Sequence, residues 1–300
     1  MRRCWTSGLS ASERFRIFIV RETGVSLHDR TVLNSESTSA HHRAVSAFDT
    51  DVGAAVARTT SATGAVGFRA LKSCSDFASV GNDAWDALIS ASSRRLYGNN
   101  EVIYLQEESA QQLYFVISGH VRLSYVLDDG SAILYAILPV GASFGELGVF
   151  DGGVHCDMAT GIGATIVGSL STAKFNELRR RFPPLQDCIA HLIARRYRSY
   201  VDLTRLMSLK TLHGRVAQAL LRLADGLGSK EDHDGQAVPR IGPMVTQADI
   251  GLMARGARGS VNRTLKAWER AGWVVSKDRA ILIVDRKALE TVAMEQDCDG

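Results

Sequence analysis

From about residue 101 the chain alternates short apolar runs with turn residues: Glu101–Leu105, Gln112–Ile117, His120–Leu127 and Ala132–Leu138 are punctuated by Ser118-Gly119, Asp128-Asp129-Gly130 and Pro139-Val140-Gly141. Runs of this length bounded by turn residues predict strands, and their spacing predicts an antiparallel roll or barrel. A helical lead-in is predicted around Ala84–Ser93, and a short helix over Thr172–Arg181 that ends before Pro183. From Pro183-Pro184 to about Leu209 the period changes, with Leu185, Ile189, Leu192, Leu203 and Leu206 recurring at threes, fours and longer gaps, which fits one long helix. That helix reads either as a dimerisation helix or as an ordinary core helix, because Arg195, Arg196 and Arg198 interrupt the seam. Gly214–Ala224 predicts a further amphipathic helix, and Asp225–Gly242, with its Gly, Asp, Ser and Pro, predicts a loop.

Beyond Val245 the pattern carries chemistry. Thr246 and Asp249 have the form of a capping box, so a helix is expected to start there and bury Ile250 and Met253. It is expected to break at Arg255-Gly256-Ala257, with the glycine taking the positive φ of a tight interhelical turn. In the next helix, running to about Ala271, Val261, Leu265 and Trp268 make one apolar face while Arg258, Asn262, Arg263 and Lys266 occupy the rest. Gly272–Val275 and Ala280–Val284 then read as two strands around Ser276-Lys277-Asp278-Arg279, followed by a helix from about Arg286. Helix, turn, helix and hairpin in that order spell a winged helix-turn-helix.

Charge sharpens this picture. The whole chain carries a net charge of only +3, but residues 244–290 hold nine bases against five acids, an excess of four. Phosphates set affinity through Lys and Arg, whereas base edges are read by Arg, Asn or Gln near the start of an inserted helix. Thr246, Gln247, Arg258, Ser260, Asn262, Arg263 and Lys266, with Lys277 and Arg279 of the wing, are the candidate DNA contacts.

Other function classes find little support. The longest apolar runs fall far short of the roughly 20 residues a membrane helix needs, and the N-terminus has no uninterrupted apolar core of a secretory signal, so a cytoplasmic location without membrane association is expected. Five scattered cysteines, Cys4, Cys74, Cys156, Cys188 and Cys298, fit reduced thiols and offer no close pair for a metal. Residues 1–67, rich in Ser, Thr, Ala and His, read either as a largely disordered extension or as a segment lying partly upstream of the true translation start. The expected domains are 68–182 for the β-roll, 183–210 for the long helix and 211–294 for the winged module, an α+β chain with no enzymatic role.

Read together, Tyr114–Leu123, Phe144-Gly145-Glu146-Leu147-Gly148-Val149-Phe150, Gly214-Arg215-Val216-Ala217, Val245–Gly251 and Arg258–Arg263 follow one another in an order that resembles the Crp/Fnr regulators, over the span from Leu113 to Leu289. The resemblance implies a cyclic-nucleotide-binding-type sensor domain and a homodimer paired through the long helix. It further implies a near-palindromic duplex operator read in successive major grooves about 34 Å apart, with RNA polymerase as a partner. It also implies an effector site drawn from Gly145, Glu146, Leu147, Cys156, Asp157 and Tyr200.

That site departs from the family's pattern. Where the family has an Arg-Ser pair for the cyclic phosphate, Cys156 and Asp157 stand, and where it has Thr-Ser on the long helix, Tyr200 and Val201 stand. Losing a charge-assisted bond costs roughly 1.5–3 kcal/mol before the added carboxylate repels the phosphate. Cyclic AMP is therefore not the expected effector, and no cofactor or metal is called for. Glu146 reads either as a ribose ligand or as a cap on the short helix that follows. On the recognition helix Ala257 replaces a Ser or Thr cap, a loss of about 1 kcal/mol, and Gly259 removes an acceptor that would suit a cytosine amine. Three alternatives stay open: a cupin-like enzyme, for which His120 and His155 lack a His-x-His partner; a haem or redox sensor using His155 and Cys156; and a sensor acting on a protein partner with a degenerate helix-turn-helix.

Overall fold

The computed structural model describes residues 71–294; the extension expected over 1–67 lies outside the described residues. Helix α1 (Asn82–Ser90) leads into β1 (Ser93–Tyr97), β2 (Val102–Tyr104), β3 (Gln112–Val126), β4 (Ala132–Leu138), β5 (Ser143–Phe144), the short α2 (Gly148–Asp151), β6 (Met158–Ser171) and α3 (Thr172–Arg181). After α4 (Pro184–Ser208) come α5 (Leu212–Leu227), β7 (Lys230–His233), β8 (Gln236–Ile241), α6 (Gln247–Ala254), α7 (Arg258–Arg270), β9 (Val274–Lys277), β10 (Ala280–Ile283) and α8 (Arg286–Met294).

The first sheet is the antiparallel roll, ordered β1-β6-β3-β4, with β2 on β6 and β5 on β3. The break expected at Ser118-Gly119 does not occur: β3 runs through it as one strand, paired to β6 on both sides of the glycine, with register shifts there. Gly119 supplies φ 79° at that irregularity, and a Cβ would stand 2.8 Å from the Ala164 carbonyl. A glycine that looks like a turn in sequence thus bends a strand instead. Inside the roll, Val116, Val121, Leu123, Tyr135 and Phe144 are buried, while α1, α3 and the start of α4 close one end over Phe77, Trp85, Leu88, Leu113 and Phe175.

Helix α4 buries Leu185, Cys188, Ile189 and Leu192 near its start and Leu206 near its end. Between them it leaves Tyr197 and Val201 68% and 50% exposed. Exposed Ala190, Tyr197, Val201 and Thr204 follow one another at heptad spacing, the repeat of a helix seam. Among the described residues no helix is long and apolar enough to cross a membrane.

The second sheet is ordered β7-β8-β10-β9 and backs α5, α6 and α7. The loop expected over Asp225–Gly242 is therefore a hairpin in its larger part. Its strand β7 reads Lys-Glu-Asp-His, with two residues exposed and two half-buried, so no apolar alternation betrays it; it exists because β8 pairs with β10 through Ile241 and Ile281. The wing turn is also tighter than expected, since Ser276 and Lys277 are in β9 and only Asp278 and Arg279 turn the chain, at φ 49° and 63°. Two successive positive φ values are what a two-residue hairpin needs to match strand twist.

Gly148, the first residue of α2 after β5, packs so closely that an added Cβ would stand 1.9 Å from the Ala110 carbonyl oxygen. Gly148→Ala is expected to destabilise the roll by about 1–3 kcal/mol through forced backbone movement, measured as a lower urea midpoint of the transition reported by the sensor aromatics. An unchanged midpoint would show that this approach is not tight.

Candidate nucleic-acid interface and sensor cleft

The helix pair is built as the local sequence dictates. The Thr246 hydroxyl accepts from the Asp249 N–H at 3.2 Å, and the Asp249 carboxylate accepts from the Thr246 N–H at 2.8 Å, closing the capping box. The turn departs from expectation: Arg255, not Gly256, takes the left-handed conformation, at φ 50° and ψ 49°. Gly256 serves close packing instead, because its Cβ would meet Leu212 at 2.5 Å, and a Cβ on Gly251 would meet the Gly256 carbonyl at 2.5 Å. The end of α6 is held by Arg215 of α5, whose Nε donates to the Ala254 carbonyl at 2.8 Å while Nη1 donates to the Leu209 and Lys210 carbonyls at 2.9 Å. Arg215 thus ties the turn to the connection between α4 and α5.

Helix α7 starts at Ala257 with no side-chain cap and buries Val261, Thr264, Leu265 and Trp268. Arg258, Asn262, Arg263 and Lys266 are exposed, as are Lys277 and Arg279 of the wing. Several of these groups are tethered. Ser260 Oγ accepts from Arg263 Nη2 at 3.0 Å, Lys266 pairs with Glu269 at 2.7 Å, and Gln247 Nε2 donates to Asn262 Oδ1 at 3.2 Å. Lys277 pairs at 2.7 Å with Glu231 of β7, which also holds Arg240 at 2.8 Å. Hydrogen bonding to Lys277, helped by the charges of Lys277 and Arg240, lowers the Glu231 carboxyl below its usual range. Glu231 lay in the span read as a loop, and nothing local in the sequence marks it as a partner of the wing.

At the sensor end, Gly145 turns the chain at φ 73°, and a Cβ there would press on the Tyr114 ring at 2.9 Å. Glu146 beside it is buried. The cap reading of Glu146 fails: α2 begins without a side-chain cap, and the carboxylate instead accepts from Arg196 Nε of α4 at 3.2 Å. Arg196 also donates to the Ser143 carbonyl at 3.0 Å. Burial alone would lower the guanidinium pKa, but Glu146 and Asp157 outweigh it and raise it above normal. Leu147 is half-buried next to this pair.

Asp157 is buried and already engaged. Its Oδ1 accepts from the Tyr104 hydroxyl at 2.7 Å, its Oδ2 accepts from the Tyr135 hydroxyl, and the Tyr200 hydroxyl of α4 donates to Tyr135 Oη at 3.2 Å. Exposed Cys156 has its Sγ 3.4 Å from the same Tyr200 hydroxyl. A chain of hydroxyls therefore joins the long helix to a carboxylate at the position where the family pattern calls for a phosphate donor. His155 does not share it: its ring stacks on Tyr104 at 3.7 Å, and burial lowers its pKa to about 4, so it is neutral. His155 and Cys156, adjacent in sequence, thus engage different partners.

Comparison with known proteins agrees with both halves. A family model described as a cyclic nucleotide-binding domain matches residues 94–182, and one described as a Crp-like helix-turn-helix domain matches 214–292. The chain is 30% identical over 209 residues to the cyclic AMP receptor protein of Thermus thermophilus, covering 69% of this chain and 91% of that one. It is 28% identical over 193 residues to the CRP-like cAMP-activated global transcriptional regulator of Mycobacterium tuberculosis, covering 64% and 84%. Among solved structures, a CRP-family transcriptional regulator of Thermus thermophilus superposes with TM-score 0.52 at 26% identity, covering 67% of this chain and 97% of that one. FixK2 of Bradyrhizobium japonicum shares the fold with TM-score 0.59 at 24% identity, covering 68% and 98%.

Burial raises the Asp157 pKa, against the lowering effects of the Tyr104 bond and Arg196. A raised folded-state value means that its contribution to stability is complete below the ordinary carboxylate range and is lost as pH rises through the folded value. Asp157→Asn should therefore gain stability relative to the parent as pH rises from about 4 to 7.5, measured by urea unfolding at a series of pH values. A difference that does not change with pH would show that the carboxylate is not desolvated.

Proposed function

The chain belongs to the Crp/Fnr family of DNA-binding transcription regulators, and on that footing we propose that it reads a near-palindromic operator as a homodimer and does not respond to cyclic AMP. The observation that carries the DNA reading is the division of α7, with Val261, Leu265 and Trp268 buried and Arg258, Asn262, Arg263 and Lys266 turned to solvent. A helix so divided can enter a major groove without exposing its core. Arg258, Asn262 and Arg263 are assigned to base edges, Lys266 to base or phosphate, and Thr246, Gln247, Ser260, Lys277 and Arg279 to the backbone.

Dimerisation is assigned to the middle of α4, where Tyr197 and Val201 form an apolar strip at heptad spacing that the subunit does not cover. An operator and RNA polymerase as partners imply work in the cytoplasm, and the role assigned to the protein there is regulatory, not enzymatic. Several relatives are cAMP-activated by name. In this chain a buried carboxylate and a thiol stand where the cyclic phosphate would need a cation, and Tyr200 reaches across the cleft to Tyr135. The sensor therefore either takes another ligand or acts as a fixed dimer scaffold.

Genomic fragments retained by the purified protein, with and without cell extract, test DNA reading and effector dependence together. Arg258→Ala and Arg263→Ala should each cost about 1–3 kcal/mol of operator binding and relax one operator position, whereas Lys277→Ala should weaken all sequences alike and reduce the salt slope by about one. Unchanged binding in both arginine variants would favour a degenerate helix-turn-helix acting through a protein partner. Titration with cyclic AMP at micromolar concentration is expected to give no saturable heat; micromolar binding would overturn the effector assignment.

A further inference from the structure

Asp249 does more than cap a helix. Its two carboxylate oxygens also accept from Arg122 of β3, at 2.6 Å from Nε and 3.2 Å from Nη2, across 127 residues of chain. Both side chains are nearly shut off from water, at 12% and 5% exposure. Arg122 sits in the middle of the roll, paired with Ile137 of β4 and Thr160 of β6, and its Nη1 is steadied by Asn100 Oδ1 at 3.0 Å. Around this contact, Leu134, Ile137 and Ile162 of the roll belong to the same apolar cluster as Ile250 and Met253 of α6. A second tie runs the other way, from Arg222 of α5 to the Tyr135 carbonyl of β4 and the Ser199 carbonyl of α4, both at 3.1 Å.

We propose that Arg122, a residue of the sensor sheet, is a positioning residue for DNA reading: its two-pronged bond to Asp249 fixes the angle at which the helix-turn-helix leaves the roll. The covalent link cannot do this alone, because only Leu209, Lys210 and Thr211 separate α4 from α5, and Leu209 and Thr211 have the extended ψ values of 127° and 144°. Single bonds at an extended junction rotate easily; a planar guanidinium on a carboxylate does not. In the docked arrangement Arg258, Asn262, Arg263 and Lys266 remain exposed, so the clamp holds the reading face out and does not cover it. The inference rests on the homodimer reading above, since the angle matters when two heads must meet two grooves at once.

The test is half-site spacing in the full-length protein. Duplexes carry two inverted copies of the half-site selected by the wild type, centred about 10 base pairs apart or moved by about 2 base pairs either way. The wild type should bind one spacing much more tightly, and Arg122→Met, which keeps the apolar stem, should cut that preference about tenfold. Arg122→Lys, limited to a single prong, and Asn100→Gly, which keeps the positive φ of 61° at that position, should fall between. Trypsin should cleave after Lys210 faster in Arg122→Met than in the wild type. A purely structural role for Arg122 would weaken every spacing equally and leave the ratio intact, and that result overturns the proposal. So does a wild-type dimer that binds all spacings alike. Failure of the homodimer reading shows itself separately, as a monomer in sedimentation.

Discussion

The carboxylate of Asp249 is the point on which the arrangement of the molecule turns. It accepts from the Thr246 N–H and hydroxyl, both at 2.8 Å, and from two nitrogens of Arg122. A buried carboxylate with fewer donors would be a liability, because the desolvation of an ion pair commonly matches or exceeds its Coulomb attraction. Four donors on two oxygens meet that cost. The same atoms that start a helix locally therefore also join it to a sheet laid down more than a hundred residues earlier in the chain, and neither task leaves the carboxylate free for the other's failure to be repaired.

The sensor half shows the opposite economy of charge. Arg196 bonds Glu146, and its charge also acts on Asp157, whose own hydrogen bonds come from the hydroxyls of Tyr104 and Tyr135. The carboxylate of Asp157 and the hydroxyls of Tyr104, Tyr135 and Tyr200 are thus already bonded to one another within the subunit. Because Arg196 and Tyr200 both come from α4 while Glu146, Tyr135 and Asp157 come from the roll, the network also fixes the long helix on the sheet. On the proposed reading, a cyclic nucleotide seated at the aligned positions would have to displace that network, a cost that a simple comparison of aligned residues does not include.

What the sequence made legible was local. The capping box at Thr246 and Asp249, the helix over Thr172–Arg181 and the apolar face of α7 each depend on residues a few positions apart, and each was found where expected. The order of motifs across the chain then sufficed for the family and its fold. What stayed hidden depends on distant partners. Strand β6 carries glycines at 161, 163 and 168 and gives no clean alternation, yet it lies at the centre of the roll because β1, β2 and β3 pair with it. The β7–β8 hairpin is charged and owes its strands to β10. Gly256 was expected to supply the positive φ of the turn, but Arg255 does so and the constraint at Gly256 is the Leu212 side chain, which no spacing rule reveals. In the candidate site the exposed bases of α7 were legible from period alone, whereas the roles of Glu231, which holds Lys277 of the wing, and of Arg215 and Arg122, which hold α6, were not.

The tethers on the reading face bear on how it can work. Lys266 is held by Glu269 and Lys277 by Glu231, so much of the positive charge that invites a phosphate is already answered within the subunit. Exposed pairs of this kind are worth little, commonly under about 1 kcal/mol, and are screened by salt. Exchanging a glutamate for a phosphate therefore costs little, while the glutamate keeps a long side chain near its working position until the exchange. The two glutamates are then better understood as guides than as inhibitors. The base-edge candidates Arg258 and Arg263 have no carboxylate ion pair among the described residues, so no carboxylate answers their charge at the proposed reading face.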